Sequence, residues 1–159
     1  MNHVGIGYDV HALAAGRKLV LGGVEIPHPK GLDGHSDADV LSHAICDALL
    51  GALGEQDIGH FFPNTDARWH GAPSYLFLEE AARQIGFREG SIVNVDATII
   101  AQQPKVSPFL PAMKTNIAKA LGINLKKIGI KATTNEHLGF IGREEGIAAM
   151  AVASIELPQ

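Results

Sequence analysis

The sequence predicts an α+β domain, a mixed sheet with helices packed on one face. Three observations carry that expectation. Strand-like and helix-like segments come in the order of three strands, two helices, a strand, a helix and two strands. The chain has 159 residues, 46% hydrophobic and 19% charged, which suits one packed domain over 1–159. Its helices are too few to cover both sheet faces, so the second face calls for a partner and the chain for an oligomer.

The elements follow in order. "HVGIGYDVH" reads as a first strand, and "KLVLGGVEI" as two short strands joined at Gly22-Gly23. Pro27 and Pro29 then stop the pairing, because proline has no N–H to donate. A helix is expected from about Asp37 to Leu53, with Ser36 as N-cap, Asp39 as the acid of a capping box and Gly54 as the stop. "DIGHFFPNTD" and "ARWHGAP" carry loop chemistry. Residues 73–85 form a second helix, with Leu76, Leu78, Ala81, Ala82 and Ile85 apolar.

In "SIVNVDATIIAQ", Val93, Val95, Ala97 and Ile99 alternate with polar residues, as in a strand. Pro104 ends it, and "PKVSPFLP" is a loop. A third helix runs from about Pro111 to Leu121, with Gly122 at its end. "KIGIKAT" and "GIAAMAVASIEL" are the last strands. The final one is small and apolar throughout, so both its faces are expected to be buried.

Composition excludes several function classes. The net charge is −4 with no basic block, so there is no electrostatic footprint for nucleic acid. No apolar run reaches the roughly 18 residues of a membrane span. The start has no basic segment leading into an apolar one, so the expected location is the cytoplasm. The lone cysteine, Cys46, sits among Ile45, Ala48 and Leu49 and reads as a small hydrophobe.

Two constellations carry chemistry. Asp9 and His11 are two apart on a predicted strand, so they point the same way. A carboxylate and an imidazole at a strand end suit zinc, and His43 on the following helix offers a third ligand. Asp39, His43 and Asp47 are spaced by four on one helix face, so one of these aspartates is placed to hold the other ring nitrogen of His43. Capping and the helix dipole also account for Asp37 and Asp39, and a histidine on a half-apolar helix is commonly only packed. Taken together, the residue types favour metal. The second constellation is "KATTNEHLGFIGREEG". Thr133 and Thr134 end a strand and offer hydroxyls to phosphate, and Glu136 offers a carboxylate to magnesium; a polar turn explains the same residues. Lys105, after Pro104, offers a point charge to a phosphate.

"GYDVH", "GHSDADVLSHAICDALLGA", "QDIGHFFPNTD", "NVDATIIAQQPK" and "KATTNEHLGFIGREEGIA" together resemble the 2-C-methyl-D-erythritol 2,4-cyclodiphosphate synthase family, in order from about residue 4 to residue 156. The resemblance implies a homotrimer with its sheets around a central axis and active sites between subunits. It implies conversion of 4-diphosphocytidyl-2-C-methyl-D-erythritol 2-phosphate to the cyclic diphosphate and CMP, in non-mevalonate isoprenoid biosynthesis. By the same resemblance Asp9, His11 and His43 are zinc ligands, and His35 and Thr134 steady the transition state. Glu136 holds a second divalent ion, magnesium or manganese. Asp57, Ile58 and Gly59 hold the methylerythritol part. Ala101, Gln102, Gln103, Pro104, Lys105, Val106 and Ser107, with Thr133, form the cytidine diphosphate pocket from the neighbouring chain. Ser36, Phe62, Pro63, Asn64, Thr65, Asp66 and Asn135 fall in matching segments and are expected to contact substrate.

Two positions depart from the family pattern. Asn64 stands where many members carry aspartate, and Ile6 where some carry histidine. Phe140 and Arg143 match residues that line an axial cavity able to hold an isoprenoid diphosphate. A salt bridge from Arg143 to Glu144 or Glu145 of a neighbour is the competing reading. Against the cyclase stand a metal-dependent phosphohydrolase using the same site and an isoprenoid-sensing trimer without turnover.

Overall fold

The structure, a computed structural model, describes residues 1–63 and 65–159. The Asn64 expectation lies outside the described residues. Among the described residues, seven strands and five α-helices follow one another as β1 (Asn2–Ala15), β2 (Leu19–Leu21), β3 (Val24–Ile26), β4 (Lys30–Leu32), α1 (Val40–Ala52), α2 (Ile58–Phe61), α3 (Tyr75–Phe87), β5 (Ser91–Ile100), α4 (Leu110–Leu121), β6 (Ile128–Thr133), α5 (Gly139–Gly142) and β7 (Gly146–Glu156). The main sheet has the order β4-β1-β7-β5-β6. It is antiparallel except for the parallel pair β5 and β6, so the mixed sheet expected from the sequence is present. β2 and β3 form a separate hairpin whose turn residues, Gly22 and Gly23, both take positive φ.

Helix α1 is the centre of the core, with eleven of its thirteen residues buried. It lies directly on β1. A Cβ on Gly5 would stand 2.0 Å from the Ala48 carbonyl oxygen, and one on Gly7 1.9 Å from that of Ala44. Only glycine lets the two backbones approach this closely. The face of β1 that meets α1 therefore reads Gly5, Gly7, Asp9, His11. The opposite face reads Val4, Ile6, Tyr8 and Val10, and it is exposed together with Met150 and Val152 of β7. Over residues 4–11 the small and polar residues face α1, and the apolar ones face outward.

Several sequence expectations need correction. The first helix starts at Val40 instead of Asp37, because Ala38 takes φ 55° and breaks the helical path. Its N-cap is Asp39, whose carboxylate accepts from Ser42 N–H at 3.1 Å, so Ser36 is not the cap and Asp39 is not a capping-box acid. Asp39 also accepts from the N–H groups of Gly22 and Gly23 at 2.9 and 2.8 Å, pinning the hairpin turn to the helix start. The hairpin pairing ends at Ile26, just before Pro27, as expected, but a further short strand, Lys30–Leu32, then pairs with Leu13–Ala15. A three-residue strand holding a glycine carries no periodic signal. In β5 a bulge between Ile92 and Asn94 shifts the alternation, so Ile92 and Val95 are buried while Val93 is exposed. β7 is buried on both faces only over Gly146–Ala149; beyond that, this chain leaves Met150 and Val152 uncovered.

Candidate active site

Where α1 begins, β1 carries Asp9 and His11 out from beneath it. His43, in the first turn of α1, closes the group. Asp9 Oδ2 lies 2.9 Å from His11 Nε2 and 3.0 Å from His43 Nδ1, and the two ring nitrogens are 3.3 Å apart. One donor atom from each residue falls within 4.8 Å of the others. One carboxylate and two imidazoles, converging and partly open to a cleft, suit a divalent cation with a free coordination position. Asp9 and His11 do not sit at a strand end, as the sequence suggested. They pair with Ala149 and Ile147 well inside β1, which runs on to Ala15.

Asp9 and His11 stabilise each other's charged forms in the metal-free chain. Burial alone would raise the Asp9 carboxyl, but the hydrogen bonds and charges of His11 and His43 outweigh it and hold it at about 2. Burial pushes the His11 imidazole down, and Asp9, with help from Asp33, more than reverses this, so the net shift is upward. Neither Asp39 nor Asp47 reaches the second nitrogen of His43. Asp39 is committed to the hairpin turn, and Asp47 accepts from Ile58 N–H at 2.8 Å. His43 Nε2 instead meets the hydroxyls of Ser74 at 2.8 Å and Ser36 at 3.2 Å.

The triad opens into a cleft of about 430 Å³ lined also by His35, Ser36, Asp57, Ile58, Gly59 and Phe62. Asp47 Oδ1 anchors the start of α2, which fixes the segment Asp57–Gly59 at the cleft. Burial pushes the Asp47 carboxyl up, and the charges of Asp57 and Asp9 add to that against the pull of Ile58 N–H. Phe62, Trp69 and Phe77 form an aromatic wall, with ring centroids 4.4 Å apart for Phe62–Phe77 and 4.8 Å for Phe62–Trp69. His35 Nε2 lies 3.2 Å from the Asp66 carbonyl oxygen. Arg17 holds the loop carrying His35 and Ser36 by donating to the carbonyls of Leu32, Gly34 and Ser36.

A second pocket gathers Ala101 through Ser107 with Thr133, Thr134 and Glu136. Thr134 Oγ1 donates to Glu136 Oε1 at 3.0 Å, and Gln102 Oε1 accepts from His137 N–H at 3.0 Å, tying the two loops together. Glu136 and His137 both take positive φ. The linings of the two pockets share no residue, so His35 and Thr134 do not meet in one cleft within this chain.

The remaining expected residues lie outside both linings. Pro63 and Thr65 are exposed, Asp66 pairs with Arg68, and Asn135 Nδ2 donates to the Leu138 carbonyl. Phe140 is exposed, and within the single chain Arg143 pairs with Glu145 at 2.9 Å. Sequence reasoning missed Arg17, Trp69, Ser74 and Phe77. The contacts of Arg17, Ser74 and Phe77 join separate segments, and Trp69 meets Phe62 and Phe77 across loops, so no helix or strand spacing signals them.

Fold and site together define a class: a small α+β protein with an Asp-His-His cluster set between strand and helix beside a cleft. The profile of the YgbB family matches residues 2–156, and the chain belongs to that family. It is 57% identical over 152 residues to the 2-C-methyl-D-erythritol 2,4-cyclodiphosphate synthase of Alkaliphilus metalliredigens, covering 96% of each chain. It is 55% identical over 155 residues to the bifunctional enzyme IspD/IspF of Granulibacter bethesdensis, covering 98% of this chain and 41% of that larger protein. Among solved structures, the IspF CDP complex of Plasmodium falciparum superposes with a TM-score of 0.87 at 35% identity, covering 99% of this chain and 97% of that one.

Proposed function

We propose that the chain, as one catalytic domain over 1–159, converts 4-diphosphocytidyl-2-C-methyl-D-erythritol 2-phosphate to 2-C-methyl-D-erythritol 2,4-cyclodiphosphate and CMP in the cytoplasm. The carrying observation is the convergence of Asp9, His11 and His43 at the cleft lined by Asp57–Gly59, in a chain so similar to named synthases. In this reaction a 2-phosphate oxygen bonds to the β-phosphorus. The bond from that phosphorus to the bridging oxygen breaks, and CMP departs with the electron pair. The reaction is a phosphorus–oxygen lyase step, and no protein nucleophile is needed. Burial raises the Cys46 thiol far above neutrality, with the charges of Asp47 and Glu80 adding to it, which agrees with an inert cysteine.

The protein's part is positioning and charge. Asp9, His11 and His43 would hold zinc, and Glu136 a magnesium or manganese ion; bound there, the two would supply positive charge to the phosphate oxygens. Asp57–Gly59 and the aromatic wall seat the methylerythritol part. Ala101–Ser107 and Thr133 take the cytidine diphosphate, with Lys105 at a phosphate. His35 and Thr134 donate to the charge that grows on the transferring phosphoryl group.

Because His35 and Thr134 line different pockets, a complete site needs a second copy. The exposed apolar face of β1 and β7 supports the assembly, a homotrimer with the sheets around its axis. Phe140 and Arg143 would stand near that axis and meet an isoprenoid diphosphate there. The pairing of Arg143 with Glu145 and the presence of Ile6 weigh against tight anion binding.

Phosphorus NMR with the diphosphocytidyl substrate, zinc and magnesium tests the reading. CMP appearing together with a cyclic diphosphate is the expected outcome. Ring-free phosphates would mean a hydrolase. Unchanged substrate with zinc bound would favour the isoprenoid-sensing trimer.

A further inference from the structure

We propose that Asp37 and Ser74 are positioning residues for the metal site, keeping a hydrogen on His43 Nε2 so that Nδ1, which faces Asp9, is the nitrogen that gives up its proton and takes the metal. This inference rests on the metal reading of those three residues.

The two histidines are held differently. His11 Nδ1 lies 2.8 Å from the Asp33 carbonyl oxygen. A carbonyl only accepts, so Nδ1 keeps a hydrogen, and Nε2, 2.9 Å from Asp9 Oδ2, is the nitrogen left to take a metal. His43 Nε2 meets only hydroxyls, which donate or accept, so its tautomer is decided one step further out.

Asp37 makes that decision. Ser74 Oγ–H donates to Asp37 Oδ1, and a carboxylate is an acceptor only. The one hydroxyl proton of Ser74 is committed there, so a lone pair faces His43 and Nε2 must be the N–H. Ser36 Oγ, farther from His43 at 3.2 Å, accepts from Ala38 N–H and serves as a second, weaker acceptor.

The carboxylate is itself locked in place. Asp37 Oδ2 accepts from Ser74 N–H at 2.9 Å, and Oδ1 accepts from Asp39 N–H at 3.1 Å. Between them Ala38 takes φ 55°, which turns Asp37 toward Ser74 while Asp39 faces the hairpin. Ser74 is buried at the start of α3, yet its side chain makes no capping hydrogen bond. A serine at a helix start normally caps; this one gives its hydroxyl to the relay.

Nitrogen-15 NMR of the metal-free full chain at mildly alkaline pH reads the tautomer directly. Asp9 Oδ2 accepts at Nδ1 in the metal-free chain, so the expected observation is a hydrogen on Nε2, with or without one on Nδ1; a bare Nε2 would overturn the proposal without any variant being made. Zinc affinity of the folded chain, measured against a competing chelator, gives the second readout. Ser74→Ala and Asp37→Asn are expected to weaken zinc by roughly 10–100-fold, with Ser74→Thr restoring it. Wild-type affinity in Ser74→Ala, with only a lower melting temperature, would assign these residues a packing role and overturn the relay. A wild type that binds no zinc would overturn the metal reading and this inference with it; a bare Nε2 in a zinc-binding wild type would sink the relay alone.

Discussion

His43 is the residue on which strand, helix and cleft converge. Replacing it by alanine removes one of three converging donors while leaving the α1 packing on Gly5 and Gly7 in place. His43→Ala is expected to stay folded by circular dichroism and to lose zinc by metal analysis; full occupancy would refute the ligand assignment. The pair beside it predicts a pH window for the metal-free chain. Asp9 is held below its ordinary value of 3.8, so its contribution is complete above that value and lost as pH falls toward about 2. His11 is raised above its ordinary 6.5, so its contribution is complete below 6.5 and lost as pH rises through the raised value. Thermal melts of the metal-free chain should therefore peak between 3.8 and 6.5 as far as this pair is concerned. Zinc needs neutral imidazoles, so the stabilisation it adds should widen above 6.5.

At the scale of elements, the contact of α1 with β1 sets the geometry of the cluster. A methyl group on Gly7 would meet the Ala44 carbonyl at 1.9 Å, and helix backbone cannot yield as a flexible side chain can. Gly7→Ala is expected to cost roughly 1–3 kcal/mol or more by overpacking, and to weaken zinc binding by lifting His43 away from Asp9. Gly86, in α3, has nothing within 4 Å of a Cβ. Gly86→Ala should be neutral or stabilising by up to about 1 kcal/mol, and it serves as the control. Chemical denaturation of both variants, with zinc titration, separates the two effects. Equal behaviour would mean that the close approach of α1 does not set the site.

For the whole molecule, the decisive feature is the outward apolar face. Val4, Ile6 and Tyr8 are more than half exposed in the single chain, alongside Met150 and Val152. An acidic residue at position 6 is harmless to an isolated chain and costly in a trimer interior. Ile6→Glu is expected to sediment as a monomer and to lose turnover, since the nucleotide pocket would no longer be joined to the cleft. It should still bind zinc, because Asp9, His11 and His43 belong to one chain. A trimeric Ile6→Glu protein would place the interface elsewhere.

The sequence by itself determined most of the element types, the mixed sheet, the Gly22-Gly23 turn and the trio Asp9, His11 and His43 as a candidate metal site. Those signals are local: strand alternation puts Asp9 and His11 on one side, and glycines mark where the chain turns. The family resemblance supplied the reaction and the segments that carry it. Only the tertiary structure decided the rest. Ala38 broke the expected helix start because Asp37 and Asp39 have partners in opposite directions, at Ser74 and at the hairpin. Periodicity says which side of an element a residue takes, but not which distant group it will meet there. The same limit hid Arg17, Trp69 and Ser74, whose roles come from chain crossings. It also explains the inverted face of β1: alternation was visible, but the packing of α1 on Gly5 and Gly7 decided that the apolar half points outward.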